Sequence, residues 1–240
     1  MAPKLKQYPI GVTPIEKSPL FHLVEDPWML LPHMLRQFTV TDLIFKHVKK
    51  DVDLRILDIG CGYAEQFILA TRREFRSQRK IQYTGIDLDE GKREQVLKVY
   101  PKIDYRIADI TKKWSGDFTP NVCVMSDTLE HVTKEQGVSI LKQAKGILNG
   151  IFVLSVPTPS RSEHRKNEHH QHEWEMEELV QTATKVGYKI VDSFYLHVPV
   201  NKWKNDEVKS RIPNAISSQA MGVISGKPGS TIMMVLTTKE

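Results

Sequence analysis

The stretch Ile56–Glu65, ILDIGCGYAE, decides the fold. Ile56, Leu57 and Ile59 form an apolar run carrying one acid, Asp58, and the run breaks on Gly60, Cys61 and Gly62. A short apolar run closed by glycine reads as a buried strand. Glycines directly behind a strand let the backbone turn sharply and come close to a ligand where a side chain would collide. Helical spacing takes over in AEQFILATRREF (64–75). The turn therefore opens a helix, whose first unpaired N–H groups point at the same spot.

The same alternation continues outward. Strands are expected at 81–87, 103–109, 121–126, 150–157, 188–198 and 231–238. Helices are expected at 90–100, 134–148 (despite two glycines) and 174–187, the last ending on Gly187 as a C-cap. Continuous apolar strands alternating with helices predict an α/β fold with a mostly parallel sheet covered on both faces. Ligands in such sheets sit beyond the carboxyl ends of the strands. Upstream, apolar residues at helical spacing (Leu35, Phe38, Leu43, Ile44, Val48) mark a helix within 33–50. The prolines at 3, 9, 14, 19, 27 and 32 predict an extended arm before it. The domain reading is an arm or lid over 1–40 and a ligand-binding domain over 41–240. Residues 199–229 form a long insertion on the substrate side, with Trp203, Arg211, Pro213 and Met221.

Bulk properties narrow the class. The 240 residues, 40% hydrophobic and 26% charged, suit one domain with a real core. No apolar run approaches the roughly 18 residues of a membrane helix, and the N-terminus lacks a signal-peptide core. The chain reads as cytoplasmic. Cys61 and Cys123 have no CxxC partner, against a zinc ribbon or disulfide scaffold. A net charge of +5 is ordinary solubility charge, and TRREFRSQRK (71–80) reads as a solvated helix face.

Acids stand at the tips of the first three strands. Asp87 ends GIDLD (85–89), where a carboxylate can accept both ribose hydroxyls of a nucleoside. Asp109 in IADI (107–110) can take hydrogen bonds from a purine amino group, and Asp89 is placed to cap the next helix. With LDIGCG (57–62), VMSDTLEHV (124–132), SVPTPSR (155–161) and HEWEMEELVQTATKVGY (172–188), this set resembles the class I S-adenosylmethionine-dependent methyltransferases. The likeness to their ubiquinone-pathway O-methyltransferases is the stronger one, and it covers roughly residues 40–195. It implies a Rossmann-like seven-stranded sheet whose last strand is antiparallel. It also implies cofactor contacts from Asp58, Gly60, Cys61, Gly62, Asp87, Leu88, Asp109, Ile110, Ser126 and Asp127. The chain departs from the family turn at Ala64, where a third glycine is usual. Glu65 breaks the G-x-G-x-x-G spacing of nicotinamide enzymes.

For the methyl acceptor the resemblance leaves alternatives open. The leading one is an oxygen, or else a nitrogen, of a small molecule, with His131 or His170 as the base. Asp127, Glu130, His131 and His170 are also candidate ligands for a divalent cation such as Mg²⁺, with Asp127 and Glu130 expected on one helical face. That arrangement resembles the metal-dependent small-RNA 3′-terminal 2′-O-methyltransferases, making RNA the second acceptor class. His164, His169 and His172 belong to the same histidine-rich segment. A third reading is a cofactor-binding protein without turnover.

Overall fold

The structure is a computed structural model that describes residues 27–74, 79–114, 119–159, 169–197, 223–225 and 231–239. The chain runs α1 (Pro27–His47), β1 (Leu54–Ile59), α2 (Glu65–Glu74), β2 (Ile81–Asp87), α3 (Glu90–Val99), β3 (Asp104–Ile107) and β4 (Val122–Ser126). A single 3₁₀ turn (Leu129–His131) leads to α4 (Lys134–Ile147), β5 (Ile151–Pro157), α5 (Met176–Val186), β6 (Lys189–His197), β7 (Val223–Ser225) and β8 (Thr231–Thr237).

The strands form one sheet in the order β3-β2-β1-β4-β5-β8-β6-β7. Strands β1 to β5 pair in parallel, and β8 lies antiparallel between β5 and β6. This is the expected Rossmann-like sheet with its last strand antiparallel. The three-residue β7 is added at the β6 edge, inside the segment read as an insertion. The order reverses between β1 and β4, so a crevice opens past their carboxyl ends.

Both faces of the central strands are covered, which is why β1, β4, β5 and β8 are mostly apolar rather than alternating. Leu57 and Ile59 of β1 pack with Phe152 and Leu154 of β5 against α4 and α5. Leu54 and Ile56 pack with Val153 against α1, α2 and α3. Each fully buried side chain of this kind contributes about 1.5–3 kcal/mol. Gly137 in α4 is explained by close packing, since a Cβ there would lie 3.1 Å from the Trp174 ring and 3.2 Å from Leu129. Thr133 and Gln136 form a reciprocal capping box at the start of α4, Asp89 caps α3, and Gly187 closes α5 at φ 94°.

Four sequence expectations are corrected. Helix α1 begins at Pro27, a first-turn position where the missing N–H costs nothing, so the extended arm does not reach residue 32. The stripe of α1 that faces the core also differs: Phe38 is 39% exposed, while Arg36 and Gln37 are buried. Strand β3 stops at Ile107, two residues before Asp109. Helix α5 starts at Met176, leaving Trp174 fully buried ahead of it. Residues 1–26, including Phe21, lie outside the described residues, as do Trp203, Arg211, Pro213, Met221 and His164.

Candidate active site

The turn after β1 is held by backbone bonds to β2. The N–H groups of Gly60 and Cys61 both donate to the Ile86 carbonyl, at 2.8 and 3.1 Å, and Ala64 N–H donates to the Cys61 carbonyl. This tight path puts Gly60, Gly62 and Ala64 in the left-handed region, at φ 72°, 52° and 57°. Two of the three are glycine for that reason. Gly60 has a second reason, because any Cβ would run into the side chain of Thr128. Ala64 keeps the third position in a strained conformation, fully buried.

Beyond the turn lies a cavity of about 500 Å³, well inside the usual range for small-molecule sites. Among the described residues its walls carry four acids (Asp58, Glu65, Asp87, Asp127) and two permanent cations, Arg36 and Lys92. Asp87 stands at the β2 tip; its Oδ2 accepts from Gly62 N–H at 2.8 Å and its Oδ1 from Asp89 N–H at 3.0 Å. Each oxygen keeps a lone pair for a ligand hydroxyl. Exposed Leu88 and buried Ile110 flank it as apolar surfaces for a flat ring. Asp58 is buried beneath the turn and accepts the Tyr83 hydroxyl at 2.7 Å. Burial, reinforced by the charges of Glu65 and Asp87 and opposed by the Tyr83 bond, pushes its carboxyl up to about 7. Burial also raises the Cys61 thiol, with Asp58 and Asp87 adding to it, so Cys61 stays protonated and serves as wall rather than nucleophile.

Asp109 differs from expectation. Its Oδ1 accepts from the Thr111 N–H at 2.9 Å and the Thr111 hydroxyl at 2.6 Å, and it is not part of the cavity wall. Because β3 ends early, Asp109 starts a loop and closes an Asx turn. Neighbouring Ile110 does reach the cavity.

Helix α1 supplies a wall that the sequence reading missed. Gln37 donates to the Ser126 hydroxyl at 3.2 Å and accepts from Gln66 of α2 at 2.5 Å. Ser126 in turn shares a hydrogen bond with Ser155 at 2.8 Å. Arg36 pairs through Nε with Asp127 Oδ2. Asp127 is itself in the left-handed region, at φ 48°, with its N–H donating to the Ser155 carbonyl. The available signal was the polar pair Arg36-Gln37 set among apolar helix positions. Polar side chains on a buried stripe need partners, and here the partners are at the strand tips.

The segment after β4 departs from the helix that was expected. With Asp127 left-handed and residues 129–131 in one 3₁₀ turn, Asp127 and Glu130 do not share a helical face. Asp127 turns to Arg36 and leaves the candidate cation ligands. Glu130, His131 and His170 do converge, with one ligand atom of each within 4.8 Å of the others. Backbone bonds hold them there. Gln171 and His172 N–H both donate to the Glu130 carbonyl, and Trp174 Nε1–H reaches the Leu129 carbonyl at 3.4 Å. His172 faces Glu178 at 3.1 Å, outside this cluster. Glu130 is buried, and its Oε2 has no hydrogen-bond partner among the described residues. Burial raises its carboxyl well above the usual range, with the charge of Asp127 adding to this and Arg36 opposing it. Burial and then His131 lower the His170 imidazole.

The cavity fits a nucleoside-bearing sulfonium. It offers a hydroxyl-accepting acid and apolar flanks at one end, and excess carboxylate for cationic groups elsewhere. A family model described as a methyltransferase domain matches residues 35–193. A TehB-like SAM-dependent methyltransferase from Corynebacterium glutamicum superposes with a TM-score of 0.54 at 15% identity, covering 83% of this chain and 87% of that one. An S-adenosylmethionine-dependent methyltransferase from Clostridium acetobutylicum gives 0.60 at 11%, over 83% and 91%. A SAM-dependent methyltransferase from Archaeoglobus fulgidus gives 0.55 at 15%, over 88% and 99%. None of the curated proteins compared with the chain matches it. No helix among the described residues is long and apolar enough to cross a membrane. The chain belongs to the methyltransferase-domain family and is a class I S-adenosylmethionine-dependent methyltransferase.

Proposed function

We propose that the chain methylates an oxygen, or else a nitrogen, of a small molecule. When bound, S-adenosylmethionine supplies a methyl group on a good leaving sulfur. The protein's share is then alignment in a dry site and removal of the acceptor proton. The observation that carries this reading is the wall beside the β4 tip. His131 lines the cavity next to Ser126, Asp127 and Thr128, and its Nδ1 lies 3.2 Å from the His169 carbonyl. A ring held at one nitrogen leaves the other to accept the acceptor's proton. Among the described residues the walls also carry more acidic than basic side chains, which favours a neutral or cationic acceptor over a polyanion.

A second reading is favoured by the convergence of Glu130, His131 and His170 and by the partnerless Glu130 Oε2. These three would hold a divalent cation, whose charge would ionise Glu130 and polarise an acceptor hydroxyl. Two imidazoles and one carboxylate suit Mn²⁺ or Zn²⁺ better than Mg²⁺, which prefers an all-oxygen set. A cation there would bring the terminal 2′-hydroxyl of RNA within the acceptor range.

Methyl-tritiated cofactor separates the two. The protein is incubated with a fractionated pool of hydroxyl- and amine-bearing metabolites, and separately with a short single-stranded RNA. Each is run with Mg²⁺, Mn²⁺, Zn²⁺ or EDTA. Label in a small-molecule fraction that survives EDTA supports the first reading. Label only in RNA, and only with a cation, replaces it with the second.

A further inference from the structure

We infer that Tyr105, on the edge strand β3, is a positioning residue for methyl-donor binding, which fixes the Asp87 carboxylate by way of Gly62. The inference rests on the donor being S-adenosylmethionine and not on the identity of the acceptor.

The strand's own pattern sets Tyr105 apart. Asp104, Arg106 and Ile107 are exposed, while Tyr105 among them is 5% exposed. Its ring joins Tyr83, Val96 and Ile103 in the cluster beneath α2 and α3. Phenylalanine would fill that space equally well. The hydroxyl adds a bond, donating to the Gly62 carbonyl at 2.8 Å. Burial, with Cys61 and the charge of Asp87 adding to it, raises the hydroxyl well above the usual tyrosine range, so it keeps its proton.

The bond acts at the glycine turn. Gly62 N–H donates to Asp87 Oδ2 at 2.8 Å, so the peptides on both sides of Gly62 are tied. Glycine at φ 52° has no side chain to hold it there, and an untied peptide beside it turns readily. The Tyr105 bond therefore limits how far the Gly62 N–H departs from its place, and Asp87 Oδ2 with it. That oxygen is one of the two Asp87 offers to the ribose hydroxyls. A carboxylate set in advance by such bonds does not have to be ordered by the ligand.

Both ends of this brace are fixed in turn. Arg93 Nε of α3 donates to the Tyr105 carbonyl at 3.2 Å, and Ala108 N–H donates to the Asp87 carbonyl at 3.0 Å. Tyr105 stands opposite Gly85 of β2. A Cβ at Gly85 would lie 2.6 Å from Cys61 Sγ, so the bare position lets the turn settle low enough for the hydroxyl to reach it.

The test is a double-mutant cycle on the full chain, read by isothermal titration with S-adenosylhomocysteine. Tyr105→Phe keeps the ring and its packing and removes one oxygen. It is expected to weaken the ligand about 3- to 10-fold. In the Asp87→Asn background the same change should cost less than about twofold, because the carboxylate it positions is gone. Hydrogen exchange of ligand-free protein, labelled at its glycine nitrogens, gives a second readout. Gly62 N–H should exchange about fivefold faster or more in Tyr105→Phe. Gly60 N–H, held by the Ile86 carbonyl, should stay within about twofold. Equal losses of affinity in the two backgrounds would mean that Tyr105 merely supports the fold, and would overturn the inference. So would an unchanged affinity in Tyr105→Phe, or equal acceleration at both glycines. If the unaltered chain binds no S-adenosylhomocysteine, the donor assignment itself fails and the inference falls with it.

Discussion

Replacing Asp58 with Asn should stabilise the protein above neutral pH and flatten its stability profile. Asp58 is 3% exposed, with the Tyr83 hydroxyl donating to it at 2.7 Å. Burial first, then the carboxylates of Glu65 and Asp87, lift its pKa from 3.8 to about 7. An acid raised in this way keeps its proton longer in the folded state than in the unfolded chain. Below about pH 4 both states hold the proton, and the group contributes nothing to the balance. Between about pH 4 and 7 only the folded state holds it, so stability falls by about 1.4 kcal/mol for each unit of rising pH. Above that window both states are ionised, and the cost levels off at about 4 kcal/mol. Asparagine has nearly the same shape, cannot ionise, and still offers an oxygen to Tyr83. Urea unfolding followed by tryptophan fluorescence, at steps from about pH 4.5 to 8, checks this. The variant should exceed the parent by about 1 kcal/mol at the acid end and by about 4 kcal/mol at the alkaline end. A stability difference that stays constant across the range would refute the burial argument.

Two further changes test the cradle itself. Asp87→Asn keeps a partner for Gly62 N–H but removes the charge, and should weaken S-adenosylhomocysteine roughly 10- to 100-fold by calorimetry; an unchanged affinity would remove Asp87 from the site. Gly60→Ala must adopt φ 72° and push into Thr128, so it should cost about 2–4 kcal/mol in urea unfolding and abolish ligand binding. A variant as stable as the parent would show that the turn relaxes freely.

Much of the fold was legible because the signals are local. A strand covered on both faces is apolar at most positions, and β1, β4, β5 and β8 are, with buried polar exceptions such as Asp58 and Ser155. A turn that needs positive φ selects glycine, as at Gly60 and Gly62. The cap Asp89 lies three residues before the Lys92 N–H it receives. Where local signals misled, the cause was a partner distant in sequence. Asp109 was read as a strand-tip acid, yet a shorter β3 and Thr111 turn it into a loop residue. Asp127 was read as sharing a helical face with Glu130, yet a left-handed backbone and Arg36 draw it away.

The sequence alone determined the order of strands and helices, the glycine turn and the acids at its edge, because spacing and backbone conformation are properties of neighbours along the chain. Only the tertiary structure decided that α1 forms a wall of the site and that Arg36, 91 residues before Asp127, meets its carboxylate. It likewise decided that, of the four candidate cation ligands, Glu130, His131 and His170 converge while Asp127 turns away to Arg36. Such meetings depend on where whole elements come to rest against the sheet, and no periodicity within a segment encodes that.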